Sequence, residues 1–93
     1  MMNIELTEIQ ITPIRPREGL VAFCNFIING SFFVGDIGIH TRFDGTYRLV
    51  YPSKTLLNGV TINIFHPINS EVGVEVEKQI QKAYEELLSK RRV

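Results

Sequence analysis

LVAFCNFIINGSFFV, residues 20–34, decides the fold. Apolar side chains fill 20–28 except at Asn25, and the Val, Phe and Ile among them favour an extended chain. Asn29-Gly30 follows without a spacer, and the apolar run restarts at Phe32-Phe33-Val34. Both turn residues tolerate positive φ, so the two runs are expected to pair as an antiparallel hairpin.

Upstream, residues 4–12 mix β-branched and charged side chains in rough alternation, the mark of a half-buried strand. The alternation slips between Leu6 and Ile9, which predicts a bulge. Pro13, Pro16 and Gly19 then predict a loop carrying Arg15 and Arg17. Downstream, Asp44-Gly45 separates a strand ending near Ile39 from another at 46–51, which Pro52 closes because it cannot donate to a ladder. Asn58-Gly59 gives a third turn before a strand at 61–65. Three such turns between short apolar runs describe an antiparallel meander of four to five strands.

From Ser70 the period changes. Val72, Val76, Ile80, Tyr84 and Leu87 recur at three- and four-residue steps, with polar residues opposite, as on a helix with one buried face. Asn69 or Ser70 supplies the capping oxygen. The expected architecture is a single α+β domain over residues 1–93. Residues 1–66 form the sheet and 70–92 the one long C-terminal helix.

Composition limits the functions available. Ten Lys and Arg balance ten Asp and Glu, so the broad basic excess of a nonspecific nucleic-acid binder is missing. Cys24 is the single cysteine and sits in an apolar run, which excludes an intrachain disulfide and a cysteine-rich zinc site. Neither a leader-like segment nor a membrane-length apolar run is present, and the expected setting is cytoplasmic.

The sheet also predicts an assembly. Read by alternation, Leu20, Ala22, Cys24, Phe26 and Ile28 share one face, and Val21, Phe23 and Ile27 the other. In the next strand Phe32 and Val34 oppose Phe33, Ile37 and Ile39. Both faces are then apolar, and a single helix covers only one. The other is expected to meet a second copy, giving a homodimer built through the sheets.

No motif for catalysis appears: there is no Gly-rich phosphate loop, His-Glu-x-x-His, Cys-x-x-Cys or Gly-x-Ser-x-Gly. Asp36 and His40 stand four apart in one strand, more than about 10 Å at 3.3 Å per residue. His66 and Ser70 are also four apart, but Pro67 forbids a regular helix through them. No enzyme activity, metal, cofactor, small-molecule substrate or membrane partner is expected. His66, Pro67, Asn69 and Ser70 read instead as a structural hinge, with Pro67 holding His66 extended and Asn69 and Ser70 satisfying amides where the helix begins.

The helix charges have two readings. Glu71, Glu75 and Glu77 lie early and Lys90, Arg91 and Arg92 late, which complements the helix dipole without any partner. Alternatively Lys78, Lys82, Lys90, Arg91 and Arg92 contact phosphates. Residues 70–93 hold five acids and five bases, so any such patch is local.

The segment YPSKTLLNGVTINIFHPINSEV, residues 51–72, resembles the septation protein family, stage V sporulation protein G. Pro52-Ser53-Lys54, the Asn58-Gly59 turn and His66-Pro67-Ile68-Asn69-Ser70 carry the match, and Phe33-Val34-Gly35-Asp36-Ile37 is similar to a strand of that family with Gly35 replacing a histidine. The resemblance implies a small α+β domain, a homodimer, no enzymatic activity, and a bacterial regulator that binds DNA, with RNA as a second candidate, in septation and sporulation. It implies phosphate contacts at Lys54 and, more loosely, Lys78 and Lys82. Thr55 and Gly38 stand where the family carries arginines, which removes two cations per subunit. The alternative is a dimeric protein-interaction module with little nucleic-acid affinity.

Overall fold

The computed structural model describes residues 4–90. Four strands form an antiparallel sheet in sequence order: β1 (Leu6–Arg17), β2 (Leu20–Ile28), β3 (Phe32–Thr41) and β4 (Tyr47–Val50). A separate two-stranded sheet pairs β5 (Ser53–Thr55) with β6 (Thr61–Asn63), and one helix, α1 (Ser70–Lys90), follows. The α+β meander with a C-terminal helix is as expected. The third X-Gly hairpin does not extend the meander as a fifth strand but forms a sheet of its own, and its second strand ends at Asn63 rather than residue 65.

Turn chemistry sets the hairpins. Asn29 and Gly30 adopt φ of 48° and 66°, and Ser31 N–H donates to the Ile28 carbonyl at 2.9 Å, closing the two-residue turn between β2 and β3. At the β3–β4 turn, Asp44 Oδ1 accepts from Thr46 N–H at 3.0 Å and from the Thr46 hydroxyl at 2.6 Å. At the β5–β6 turn, Asn58 Oδ1 accepts from Val60 N–H at 3.0 Å. Asn and Asp thus provide the turns with side-chain acceptors that most residues lack.

The expected bulge near Leu6–Ile9 is present: the β1–β2 register shifts between Thr7 and Gln10, and Glu8 takes φ of 49°. The expected loop over residues 13–19 is not. β1 continues through Pro13 and Pro16 to Arg17, and only Glu18-Gly19 turn. β1 lies at the sheet edge, where a proline's missing N–H costs no ladder bond on the open side.

A second bulge changes the faces. The β2–β3 register slips between Cys24 and Phe26, leaving Gly35 and Asp36 opposite Asn25, with Asp36 at φ of 62°. The extra residue reverses the parity of β3. Val34, Ile37 and Ile39 therefore all turn to the helix side and are buried, contrary to the simple alternation. A further slip at Leu20/Ala22 places Leu20 on the opposite face from Ala22, against Gly38.

The core lies between the sheet and α1. Ala22, Cys24, Phe26, Val34, Ile37, Ile39 and Leu49 meet Val76, Ile80 and Tyr84 of the helix. Phe26, Ile37, Ile39 and Ile80 are fully buried, each contributing about 1.5–3 kcal/mol by removal from water. Tyr47 and Tyr84 stack edge to face with centroids 5.1 Å apart. Arg42 ties the β3–β4 turn to the helix through Glu77 at 3.2 Å.

Candidate nucleic-acid interface

The anticipated phosphate contacts fall on separate elements. Lys54 lies on β5, whereas Lys78, Lys82 and Lys90 lie on α1, and all four are exposed. The β5–β6 strands pack against neither the helix nor the four-stranded sheet, so one protomer does not bring Lys54 to the helix lysines. Arg91 and Arg92 lie outside the described residues. Among the described residues none of Lys54, Lys78, Lys82 and Lys90 is held in an ion pair; the pair formed is Arg42–Glu77. Lys78 borders a shallow depression with Ser70, Glu71, Val74 and Glu75, so acids flank it.

At residues 66–70 the chain turns into the helix. His66 Nδ1–H donates to the Pro67 carbonyl at 2.8 Å. Asn69 Oδ1 accepts from Val72 N–H at 2.9 Å, an N-cap bond to the third helical residue, and Ser70 opens the helix. His66, Pro67 and Ile68 line an apolar depression with Tyr51, Phe65 and Val72. Tyr51 and Phe65 pack with ring centroids 6.1 Å apart. The Tyr51 hydroxyl is buried and, among the described residues, has no hydrogen-bond partner. Burial pushes its pKa up to about 12, and the negative charge available at Glu77 and Cys24 adds to the shift.

The segment from Leu56 to Ile68 carries a run of uncovered apolar side chains. Leu57 is fully exposed, and Leu56, Val60, Ile62, Ile64, Phe65 and Ile68 are exposed in part. Simple alternation places the uncovered apolar surface on the four-stranded sheet, but much of it lies on this hairpin and its stem.

Alternation without the bulges also missed what the sheet's helix-free face carries. Cross-strand partners share a face. Arg17 pairs with Leu20, Leu20 with His40, and His40 with Arg48, so one row holds two arginines and a histidine, with Leu20 between Arg17 and His40. Burial and the neighbouring Arg48 charge lower the His40 pKa below its usual value. His40, Asp36 and Ser53 border one open depression over Gly38, yet no hydrogen bond links these three side chains. At the sheet's end Phe43 is fully exposed beside Arg42 and Arg48. Only the register of the β1–β4 ladder could have revealed this row, because its members are scattered through the sequence.

Cys24 is buried and its thiol pKa is pushed up to about 12 by burial, which makes it a packing residue rather than a nucleophile. Among the described residues no group of His, Cys, Asp and Glu is placed to hold a metal ion, and no helix is long and apolar enough to cross a membrane.

A family model described as SpoVG matches residues 2–86. The chain is similar to a septation protein SpoVG of Treponema denticola, with 30% identity over 82 residues that span 88% of this chain and 87% of the relative. It is similar to the SpoVG septation protein of Staphylococcus saprophyticus, with 29% identity over 83 residues, 89% of this chain and 81% of the relative. That of Bdellovibrio bacteriovorus is 28% identical over 85 residues, 91% of this chain and 77% of the relative.

Proposed function

This chain belongs to the SpoVG family, and on that premise we propose that it is a homodimeric, cytoplasmic regulator that binds DNA or RNA in septation and sporulation. It does no chemistry of its own in this reading. The relatives' names supply the link to septation.

The observation that carries the proposal is the β5–β6 hairpin. An isolated two-stranded hairpin is marginal in water, and this one exposes Leu57, Val60 and Ile62 while packing on no other element of its chain. A second copy would cover that surface and set two Lys54 side chains at the rim. Lys78, Lys82 and Lys90 add cations along each helix, and Arg91 and Arg92, next in the sequence, are proposed to contribute further phosphate contacts. These contacts hold phosphates and carry no sequence information.

The second reading is a dimeric protein-interaction module with little nucleic-acid affinity. The zero net charge and the acids flanking Lys78 favour it.

Titration of labelled duplex DNA and RNA at two salt concentrations separates the two readings. The regulator binds at low salt, and affinity falls with salt at roughly 0.9 logarithmic units per phosphate contact on B-DNA. A Lys54→Ala, Lys78→Ala, Lys82→Ala variant binds more weakly with a shallower slope. Absence of binding at low salt would reject the nucleic-acid reading.

A further inference from the structure

The helix-free face of the four-stranded sheet is graded from one end to the other. Its rows run Thr7–Ile27–Phe33, then Gln10–Asn25, then Thr12–Phe23–Gly38–Val50, and last Arg17–Leu20–His40–Arg48. Phe33 is 68% exposed although it stands in an inner strand, and Phe23 is half-buried about 13 Å along β2 at 3.3 Å per residue. Gly38 leaves the backbone bare beside Phe23: a Cβ there would lie 3.1 Å from Leu20 Cδ1 and 3.6 Å from Val50 Cβ. The result is an open shelf with aromatic rings in the first and third rows and cations along the last.

We propose that this face binds single-stranded nucleic acid, with bases stacked on Phe23 and Phe33 and phosphates held by Arg17, His40 and Arg48. The inference rests on the nucleic-acid reading above and locates the contact on the sheet rather than on the surface lysines. Rings standing on an open shelf stack on unpaired bases, whose π faces are free; in a duplex those faces are already occupied. Arg48 and His40 are direct cross-strand partners, so protonation of His40 sets like charges side by side, a repulsion that an intervening phosphate relieves. Asp36, on the same shelf, is placed to accept from a base's exocyclic amino group and disfavours phosphate at its own end.

Protonation of His40 is coupled to this site. Burial and Arg48 across the ladder oppose the proton, and the other charged groups around this end of the shelf are Arg17 farther along the row, Asp36 on the same strand and Glu18 in the adjoining turn. A phosphate against His40 and Arg48 raises the histidine's proton affinity, so binding tightens as pH falls.

The test is anisotropy with a labelled 12-nucleotide single strand and the matching duplex, with light-scattering mass measured on the same samples. The single strand is expected to bind at least about tenfold more tightly than the duplex. Phe33→Ala weakens the single strand by about tenfold, the scale of one lost base stack. Arg48→Ala lowers the salt slope, and His40→Ala removes the gain in affinity as the solution is made acidic. If these variants bind like the parent while the Lys54, Lys78, Lys82 variant loses binding, the sheet-face inference fails and the nucleic-acid reading stands. If the unaltered chain binds neither form, both fail. A Phe33→Ala chain that becomes monomeric would overturn the inference by giving this face to a second copy.

Discussion

Gln79 of the helix completes the backbone of Leu6 on the edge strand: its Oε1 accepts from Leu6 N–H at 3.0 Å. Its Nε2 donates to the Ile4 carbonyl at 2.8 Å and to Glu75 Oε2 at 2.8 Å. One side chain thereby pairs the Leu6 N–H at the start of β1 and the Ile4 carbonyl just before it, and ties α1 to that end of the sheet. Gln79→Ala leaves the Leu6 N–H unpaired beside the core, so a loss of about 1–3 kcal/mol is expected in urea unfolding. An unchanged midpoint would show that helix docking rests on apolar contact alone.

Alkaline pH should destabilise the fold. Thiol and phenol have ordinary values of 9.0 and 10.0, and burial holds Cys24 and Tyr51 at about 12. Between pH 9 and 12 the unfolded chain has released these protons while the native chain retains them. Stability is then full below pH 9 and falls as pH rises toward 12. Thermal unfolding at pH 8, 9.5 and 10.5 checks this, and a Cys24→Ala, Tyr51→Phe double variant should show a flatter decline than the parent. Equal slopes in both proteins would contradict it.

The Tyr51 hydroxyl is buried without a partner among the described residues. Removing an unsatisfied polar atom while keeping the ring is neutral or stabilising by about 1 kcal/mol. Tyr51→Phe should therefore match or exceed the parent in denaturant midpoint. A loss of stability would place a hydrogen-bonding partner on that oxygen, and a second copy is the first to examine.

The β5–β6 hairpin should decide the assembly. Leu57→Ser with Val60→Ser removes apolar surface from a segment that contacts no other element of its own chain. The protomer fold then keeps its helical circular dichroism while the mass falls from two chains to one. A variant that stays dimeric would move the interface off this hairpin.

Much of the fold was legible because its determinants are local. Asn29-Gly30 adopts the positive φ its residues tolerate, and Asp44 and Asn58 accept bonds from their own turns. The helix followed from the spacing of Val76, Ile80 and Tyr84, all buried as expected. The slip at Leu6–Ile9 was visible because charged and apolar residues fall out of step there. Gly35 inside an apolar strand run is a bulge signal that simple alternation passes over, and the one extra residue there turns Ile37 and Ile39 to the core. The prolines of β1 signalled a loop because sequence alone does not say which strand will be an edge.

The candidate site divides along the same line. Lys78 and Lys82 were legible as an outward helix pair from periodicity. Arg17, His40 and Arg48 were not, because only the ladder register makes neighbours of residues so far apart in sequence. Gly38, which removes an expected cation, also opens the shelf beside Phe23.

The most direct measurement of the central claim, a homodimer that binds nucleic acid, is sedimentation of the chain with a labelled oligonucleotide in one low-salt cell, followed by the same run at high salt. The account predicts a free protein of twice the chain mass, a faster species carrying label and two chains at low salt, and release of the label with the dimer intact at high salt. A monomer that leaves the label unbound at low salt would contradict it.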